Sequence, residues 1–454
     1  MKHSLVIQKH RALCAALTAT ATILTASGNI FSSTPAALSC KVEPERSVLT
    51  ADKPESIMVK VSLRGSERTL REERSSINMA LVIDRSGSMS GDRIAQAKDA
   101  AIAAVERLTA SDVISVVIFD NTIDTIVPAQ YVSNKRDIIA RIREITARGN
   151  TAIFGGVSQA AAEIRKNIER GYINRIVLLS DGQANVGPQS PADLGRLGVS
   201  LMKEKISVTT IGVGLGYNED LMTRLASKSD GNSYFVENSD DLPRIFKSEL
   251  GNVLSVVAKS VQLSVRFAAG SMPVEIVGRE GHIDGKTVTL DFNQIYSAQE
   301  KYVLIRTECE PGRSGDTRTI AHADVSFVDV DSNKSRMVTS VGAVRFSESA
   351  VVVRESVKKD VVREAALNYN AKIVEKAILL ADEGKREEAA QLFEKQAASL
   401  KKQAADYDLD ELKAEAVYQY SNSFKVRASG SLDARSRKEN VQRNFEVQQQ
   451  QLKQ

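Results

Sequence analysis

The pattern of apolar and polar positions changes character twice along the chain. Between residues 77 and 250, short apolar runs alternate with segments of helical period. Ile77–Ile83, Val113–Phe119, Ile176–Leu179 and Ile206–Val213 are apolar at nearly every position, as strands buried on both faces of a sheet are. Helical patterns follow them over Arg93–Leu108, Lys135–Thr146, Ile153–Glu169, Pro191–Glu204, Glu219–Lys228 and onward from Asp240. Ile138, Ile139, Ile142 and Ile145 show the spacing of one helical face. Ile123–Tyr131 reads as an antiparallel neighbour of Val113–Phe119, joined by the Asp120-Asn121 turn, and Ser233–Val236 as an edge strand. This order predicts a doubly wound α/β sheet with helices on both faces.

From Lys259 the period becomes two: Val261, Leu263, Val265 and Phe267 alternate with Gln262, Ser264 and Arg266. Similar strands are visible at Thr287–Phe292, Lys301–Thr307, Ile320–Val330 and Met337–Phe346, which predicts a β-sandwich over 253–347. Ser56–Leu63 alternates in the same way. The strands of 40–71 have no other sheet to join, and unpaired edges are costly. We therefore expect them to complete the sandwich, with the α/β domain (72–252) inserted between its halves; a sandwich of the later strands alone, flanking the α/β domain, is the other arrangement. From Glu348 the pattern turns helical over 348–426. The turn Asp382-Glu383-Gly384-Lys385 joins two helices as in a tetratricopeptide-type hairpin, and Leu409–Tyr420 reads as a third helix. Residues 427–454 read as a polar, Gln-rich tail, frayed or ordered only on binding.

The candidate chemistry lies at strand ends. Ile77–Ile83 runs into Asp84-x-Ser86-x-Ser88, a carboxylate and two hydroxyls at alternate positions, followed by a turn and a helix. Open α/β sheets place ligand sites at such carboxyl ends, and this donor set suits a hard cation such as Mg²⁺. Arg148-Gly149-Asn150-Thr151 brings another hydroxyl, and Ile176–Ser180 ends in Asp181. On these residues the sequence resembles the von Willebrand factor A domain over roughly residues 75 to 250. The resemblance implies a Rossmann-like fold. It also implies that Asp84, Ser86, Ser88, Thr151 and Asp181 form a metal-ion-dependent adhesion site for Mg²⁺, Mn²⁺ or Ca²⁺. In that family Ser86 and Ser88 would bind the metal directly and Thr151 directly or through water, with Asp84 and Asp181 mostly behind them. An open position then takes a carboxylate from a protein ligand. Arg85 has no fixed role in the motif; it flanks the ligand or faces solvent.

Composition narrows the setting. Lys and Arg total 61 against 57 Asp and Glu, a net +4 that argues against a nucleic-acid partner. Lys2, Lys9 and Arg11 precede the short apolar stretch Ala12–Ala26, with small residues for cleavage after Gly28 or Ser39. Residues 1–39 thus read as a signal peptide and linker, and the protein as exported: periplasmic, cell-envelope or secreted. Any membrane association would run through this N-terminus, including a loose lipobox reading with Cys40 as the modified residue. Export and two mature cysteines permit a Cys40–Cys309 disulfide; two unpaired thiols are the alternative.

Catalytic signatures are missing. After the leader the histidines are His282 and His322, neither at zinc spacing from another ligand, and no Gly-x-Ser-x-Gly elbow occurs. Gly212, Gly214 and Gly216 read as a loop-tightening cluster, because Tyr217 breaks dinucleotide spacing, and Lys98, Asp99 and Asp120 as solvated or turn residues. The expectation is a divalent-cation-dependent, adhesion-type protein-binding module, not an enzyme, with no small-molecule substrate. The alternatives are an envelope scaffold binding through its helical end, with the metal site structural, and a metal-dependent hydrolase.

Overall fold

The computed structural model describes residues 37–67 and 75–451. Three strands come first: β1 (Leu38–Pro44), β2 (Val48–Thr50) and β3 (Glu55–Gly65). The α/β domain then holds β4 (Ile77–Asp84), α1 (Asp92–Arg107), β5 (Val113–Phe119), β6 (Ile123–Tyr131), α2 (Lys135–Arg143) and α3 (Ile153–Arg165). It continues with β7 (Ile173–Ser180), α4 (Pro191–Lys203), β8 (Ile206–Val213), α5 (Glu219–Lys228), β9 (Ser233–Val236) and α6 (Leu242–Leu254). The strands β10 (Val256–Phe267), β11 (Ser271–Val277), β12 (His282–Asp284), β13 (Thr287–Tyr296), β14 (Glu300–Cys309), β15 (Thr317–Asp329) and β16 (Lys334–Ser347) follow. Last come α7 (Ala350–Glu355), α8 (Lys359–Asp382), α9 (Arg386–Tyr407), α10 (Asp410–Ser429) and α11 (Ala434–Gln449). None of these helices is long and apolar enough to cross a membrane.

The fold class is the one the pattern predicts. The α/β sheet runs β6-β5-β4-β7-β8-β9, parallel except for β6. Every residue of the central β4 is buried. Its Ile77, Met79, Leu81 and Ile83 share a core with α1 and α6. Its Ala80 and Val82 face α3 on the other side, so a nearly continuous apolar run is what two covered faces require. The crossovers leave β4 toward β5 on one side and β7 on the other, which opens a crevice at its carboxyl end.

The early strands lie in the sandwich. β3 pairs with β1 and, from Glu55↔Cys309 to Arg64↔Glu300, with β14 in the sheet β1-β3-β14-β11. The opposing sheet is β12-β13-β10-β15-β16-β2. Val59, Val61 and Leu63 meet Val261, Leu263, Val265 and Phe292 between the two. The α/β domain is thus inserted between β3 and β10.

Three expectations are corrected. Cys40 and Cys309 are free thiols. Cys40 lies opposite Leu63 of β3 and Cys309 opposite Glu55. Those positions are eight residues apart on one strand, roughly 27 Å at about 3.4 Å per residue, where a disulfide needs Cα atoms within about 7 Å. Second, the first strand starts before residue 40: Leu38 is buried and pairs with Gly65. Processing after Ser39, or lipidation of Cys40, would cut into β1, whereas cleavage after Gly28 leaves it whole; the rest of the expected leader lies outside the described residues. Third, the polar tail is mostly the helix α11, and it is docked. Arg437 pairs with Glu219 and, at 2.8 Å, with Asp220 and Asp382. Lys438 Nζ reaches Glu219 at 2.6 Å, and the Gln451 side chain bonds both the N–H and the carbonyl of Ser233.

The α/β domain and the sandwich share a buried polar junction. Asp230, between α5 and β9, has φ +52. Its Oδ1 accepts from Lys301 Nζ at 2.7 Å and its Oδ2 from the Asn293 N–H at 2.7 Å, with Arg279 Nη1 3.7 Å from Oδ1. Burial lowers Lys301 from 10.5 to about 8, against the attraction of Asp230. Burial alone would raise Asp230, yet Lys301 and Arg279 hold it below the usual carboxylate range.

Candidate metal centre

All five residues singled out in the sequence meet in the crevice at the carboxyl ends of β4 and β7. Asp84 closes β4 and is fully buried. Its Oδ1 accepts the Ser86 N–H at 2.8 Å, which turns the chain, and its Oδ2 accepts the Ser180 hydroxyl from the end of β7. A single 3₁₀ turn, Gly87–Met89, then aims Ser88 across the crevice. Ser86 Oγ and Ser88 Oγ are 3.1 Å apart, and Ser88 Oγ donates to Asp181 Oδ1 at 2.8 Å. Ser86, Thr151 and Asp181 are buried and Ser88 is exposed, so Ser88 marks the mouth.

Thr151 enters on the loop before α3. Its N–H donates to Asn185 Oδ1 at 2.8 Å, and its carbonyl accepts the N–H of Asn185 at 3.1 Å. The Asp84–Ser88 loop and the Thr151 loop are tied directly, Gly87 N–H to the Gly149 carbonyl at 2.9 Å and Arg148 N–H to the Arg85 carbonyl at 2.6 Å. Gly182 keeps the centre open: a Cβ there would lie 2.9 Å from Thr151 Oγ1 and 3.5 Å from Asp84 Oδ2.

The electrostatics favour a cation. Burial pushes the Asp84 carboxyl up to about 6 despite its bonds from Ser180 and Ser86, and the nearby Asp181 charge adds to the rise. Both Asp84 oxygens already accept a bond, and so do both of Asp181, whose Oδ2 takes Arg93 Nη1 at 2.5 Å. The hydroxyls of Ser86, Ser88 and Thr151 are therefore the groups best placed to face an ion, with the carboxylates orienting them. Among the described residues no three His, Cys, Asp or Glu side chains cluster as a metal site. The groups facing the crevice are three neutral hydroxyls, with two carboxylates behind them, one already paired with Arg93, so a divalent cation held by the hydroxyls would keep much of its charge for an outside ligand.

Several residues of the site lacked a sequence signal. Arg85 neither flanks the mouth nor faces solvent. It is buried, with Nε 3.0 Å from Asp120 Oδ2 and Nη2 2.5 Å from Asp124 Oδ2. Asp120 does sit in the turn between β5 and β6, but it is a buried anchor and not solvated. Its carbonyl accepts the Ala152 N–H at 3.1 Å and its Oδ2 accepts Arg148 Nε at 2.8 Å, fixing the Thr151 loop. Burial would raise its carboxyl, but bonds from Thr122 and Arg148 and the Arg85 charge hold it at about 2. Arg93, the second residue of α1, also donates to the Ser88 carbonyl at 3.1 Å. Only its place shortly after Ser88 could have flagged it.

A profile of the von Willebrand factor type A domain matches residues 78–248. Among curated proteins, the chain is 30% identical over 212 residues to the uncharacterized protein YfbK of Escherichia coli, covering 46% of this chain and 37% of that one. It is 29% identical over 197 residues to the uncharacterized protein sll0103 of Synechocystis, covering 43% and 46%. Inter-alpha-trypsin inhibitor heavy chain H4 of Homo sapiens is 27% identical over 211 residues, covering 44% and 22%. The chain thus matches less than half the length of these relatives. Among solved structures, a von Willebrand factor type A protein from Catenulispora acidiphila has TM-score 0.68 at 15% identity, covering 90% of this chain and 96% of that one. The ArnB paralog VWA2 from Sulfolobus acidocaldarius has TM-score 0.59 at 20% identity, covering 91% and 98%. At these identities the structural likeness speaks for the fold.

Proposed function

We propose that this chain, whose residues 78–248 form a von Willebrand factor type A domain, is an exported protein-binding module that takes its ligand through a divalent cation. Domains of this family are typically protein-interaction modules and commonly bind a divalent metal. The observation that carries the reading is the convergence of Ser86 and Ser88 from one loop and Thr151 from another in front of two carboxylates already bonded within the chain. Their hydroxyls would hold Mg²⁺, Mn²⁺ or Ca²⁺. When bound, the ion supplies an electrophilic position for an acidic side chain from outside. Asp84 fixes the Ser86 turn, Asp181 orients Ser88, and Gly182 leaves room beside Thr151. The roles proposed for these residues are binding and orientation, not turnover, and the leader would place the module in the envelope or outside the cell.

Calorimetric titration with Mg²⁺ and Mn²⁺ tests the reading. An ion at tenfold its dissociation constant stabilises a fold by only about 1.4 kcal/mol, so the protein should fold without metal. Ser86→Ala and Ser88→Ala should weaken ion uptake at least tenfold while the metal-free melting temperature barely changes. Wild-type protein that takes up neither ion at millimolar concentration would end the proposal.

A further inference from the structure

The metal centre already holds a positive charge of its own. Arg93 is the second residue of α1, a position where the helix macrodipole disfavours a cation. What it touches explains the placement. Its Nη1 donates to Asp181 Oδ2 at 2.5 Å and to the Ser88 carbonyl at 3.1 Å. The same carboxylate accepts the Ser88 hydroxyl through Oδ1 at 2.8 Å. The glycine-rich loop after β8 lies against the guanidinium. A Cβ at Gly214, where φ is +72, would stand 3.2 Å from Arg93 Nη2, and one at Gly216 would stand 3.4 Å from the Asp181 carbonyl oxygen. Among the described residues, Arg93 is the one cation paired with either carboxylate of the centre.

The pair is arranged so that it can be given up. The Asp181 side chain is fully buried, whereas that of Arg93 is 41% exposed. Both hydrogen bonds of Arg93 run through Nη1. Arg85 is the contrast: it is buried, and Asp120 and Asp124 hold it through two of its nitrogens. Asp84 and Asp181 are both buried, and without an ion the guanidinium offsets their charge. A divalent cation in front of Ser86, Ser88 and Thr151 would lie close to Arg93, and like charges at short range repel strongly where water is partly excluded.

We propose that Arg93 is the resident counter-cation of the centre, which holds Asp181 and the Ser88 loop in place without metal and competes with the divalent ion for the site. The inference rests on the cation-dependent reading above and adds the residue that regulates it. Ion uptake is then an exchange of charge in which the guanidinium yields Asp181. The centre stays ordered when empty and fills only where the ion is abundant.

The test compares the full-length wild type with Arg93→Met, Arg93→Gln and Arg93→Lys, by calorimetric titration with Mg²⁺ and Mn²⁺ and by melting in chelator and in saturating Mg²⁺. Arg93→Met and Arg93→Gln, which remove the charge, should bind the ions more tightly, by on the order of tenfold. Arg93→Lys, which keeps the charge, should stay close to wild type. In chelator the two neutral variants should melt below wild type, because Asp181 is left buried without its partner, and Mg²⁺ should raise their melting temperatures by more than it raises that of the wild type. A wild type that takes up the ions while both neutral variants bind them no more tightly overturns the inference and leaves the metal reading standing. Neutral variants that melt in chelator at or above the wild-type temperature overturn it as well. Uptake by the neutral variants alone upholds the competition and ends the reading of the wild type as metal-dependent. Absence of uptake in all four proteins overturns both.

Discussion

Replacing Asp230 by Asn probes how firmly the α/β domain is held to the sandwich. Asn has the same shape, accepts the Asn293 N–H and tolerates the positive φ of this position, so the change removes charge and little else. Breaking a buried ion pair by removing one partner costs about 3–5 kcal/mol, and the structure divides that cost. Lys301 already titrates at about 8, so shedding its proton at pH 7 costs about 1.4 kcal/mol, which caps the share of the loss that Lys301 carries in the variant. Arg279 cannot shed its charge and carries the rest. The pH dependence has a definite sign. A lysine with a depressed folded pKa costs stability below that pKa, and the cost fades as pH rises from about 8 to 10.5. At pH 9 wild-type Lys301 is itself mostly neutral, so the penalty of Asp230→Asn should shrink by about 1.4 kcal/mol between pH 7 and 9. The expected loss is about 3 kcal/mol at pH 7, a fall in melting temperature of at least about 6 °C at 2–4 °C per kcal/mol. Denaturant titrations of both proteins at the two pH values measure it. A penalty below about 1 kcal/mol at pH 7, or one that grows toward pH 9, refutes the argument.

Gly182→Ala would force a methyl group to 2.9 Å from Thr151 Oγ1; Mg²⁺ affinity by calorimetry should fall severalfold with circular dichroism unchanged, and wild-type affinity would contradict the site geometry. Burial pushes the Cys40 thiol up to about 12 and that of Cys309 up to about 11. Both should therefore resist alkylation in folded protein at pH 8 and both label once unfolded without reductant, as peptide mass spectrometry would report; a cross-linked Cys40–Cys309 peptide would contradict the structure. Truncation after Ser429 removes Arg437 and Lys438 from the buried Glu219. It should cost roughly 3 kcal/mol or more and raise hydrogen exchange across α5 and β9, and unchanged protection there would show that α11 does not hold them.

The parts legible in the sequence are those whose physics is local or periodic. β4 is apolar at every position but Asn78 before it reaches Asp84, because both its faces are covered, and Asp84 ends it because the crevice lies there. The insertion was legible for a different reason. Ser56–Leu63 alternates as a half-buried strand must and had no partner nearby, and its partner is β14, more than two hundred residues on. The parts that were not legible depend on distance or on charge placed inside. A count of two cysteines says nothing about register, and eight residues of one strand separate Cys40 from Cys309.

The tail shows the same limit. Helix α11 buries Ser436, Lys438, Asn440 and Asn444 with Phe445 as its one buried large apolar residue, so its contact face has no hydrophobic period and reads as solvated. Its partners are polar as well: Glu219, Asp220, Asp382 and the main chain of Ser233. Arg85 and Asp120 escape pattern reading in the same way, each buried against the other's charge. Buried charges cost more to strand than to pair, so these ion pairs fix where the Thr151 loop, the α5–β9 edge and the sandwich sit relative to β4. The hydrophobic pattern forms the layers; the charges it cannot reveal set the arrangement of the loops in which Ser86, Ser88 and Thr151 meet.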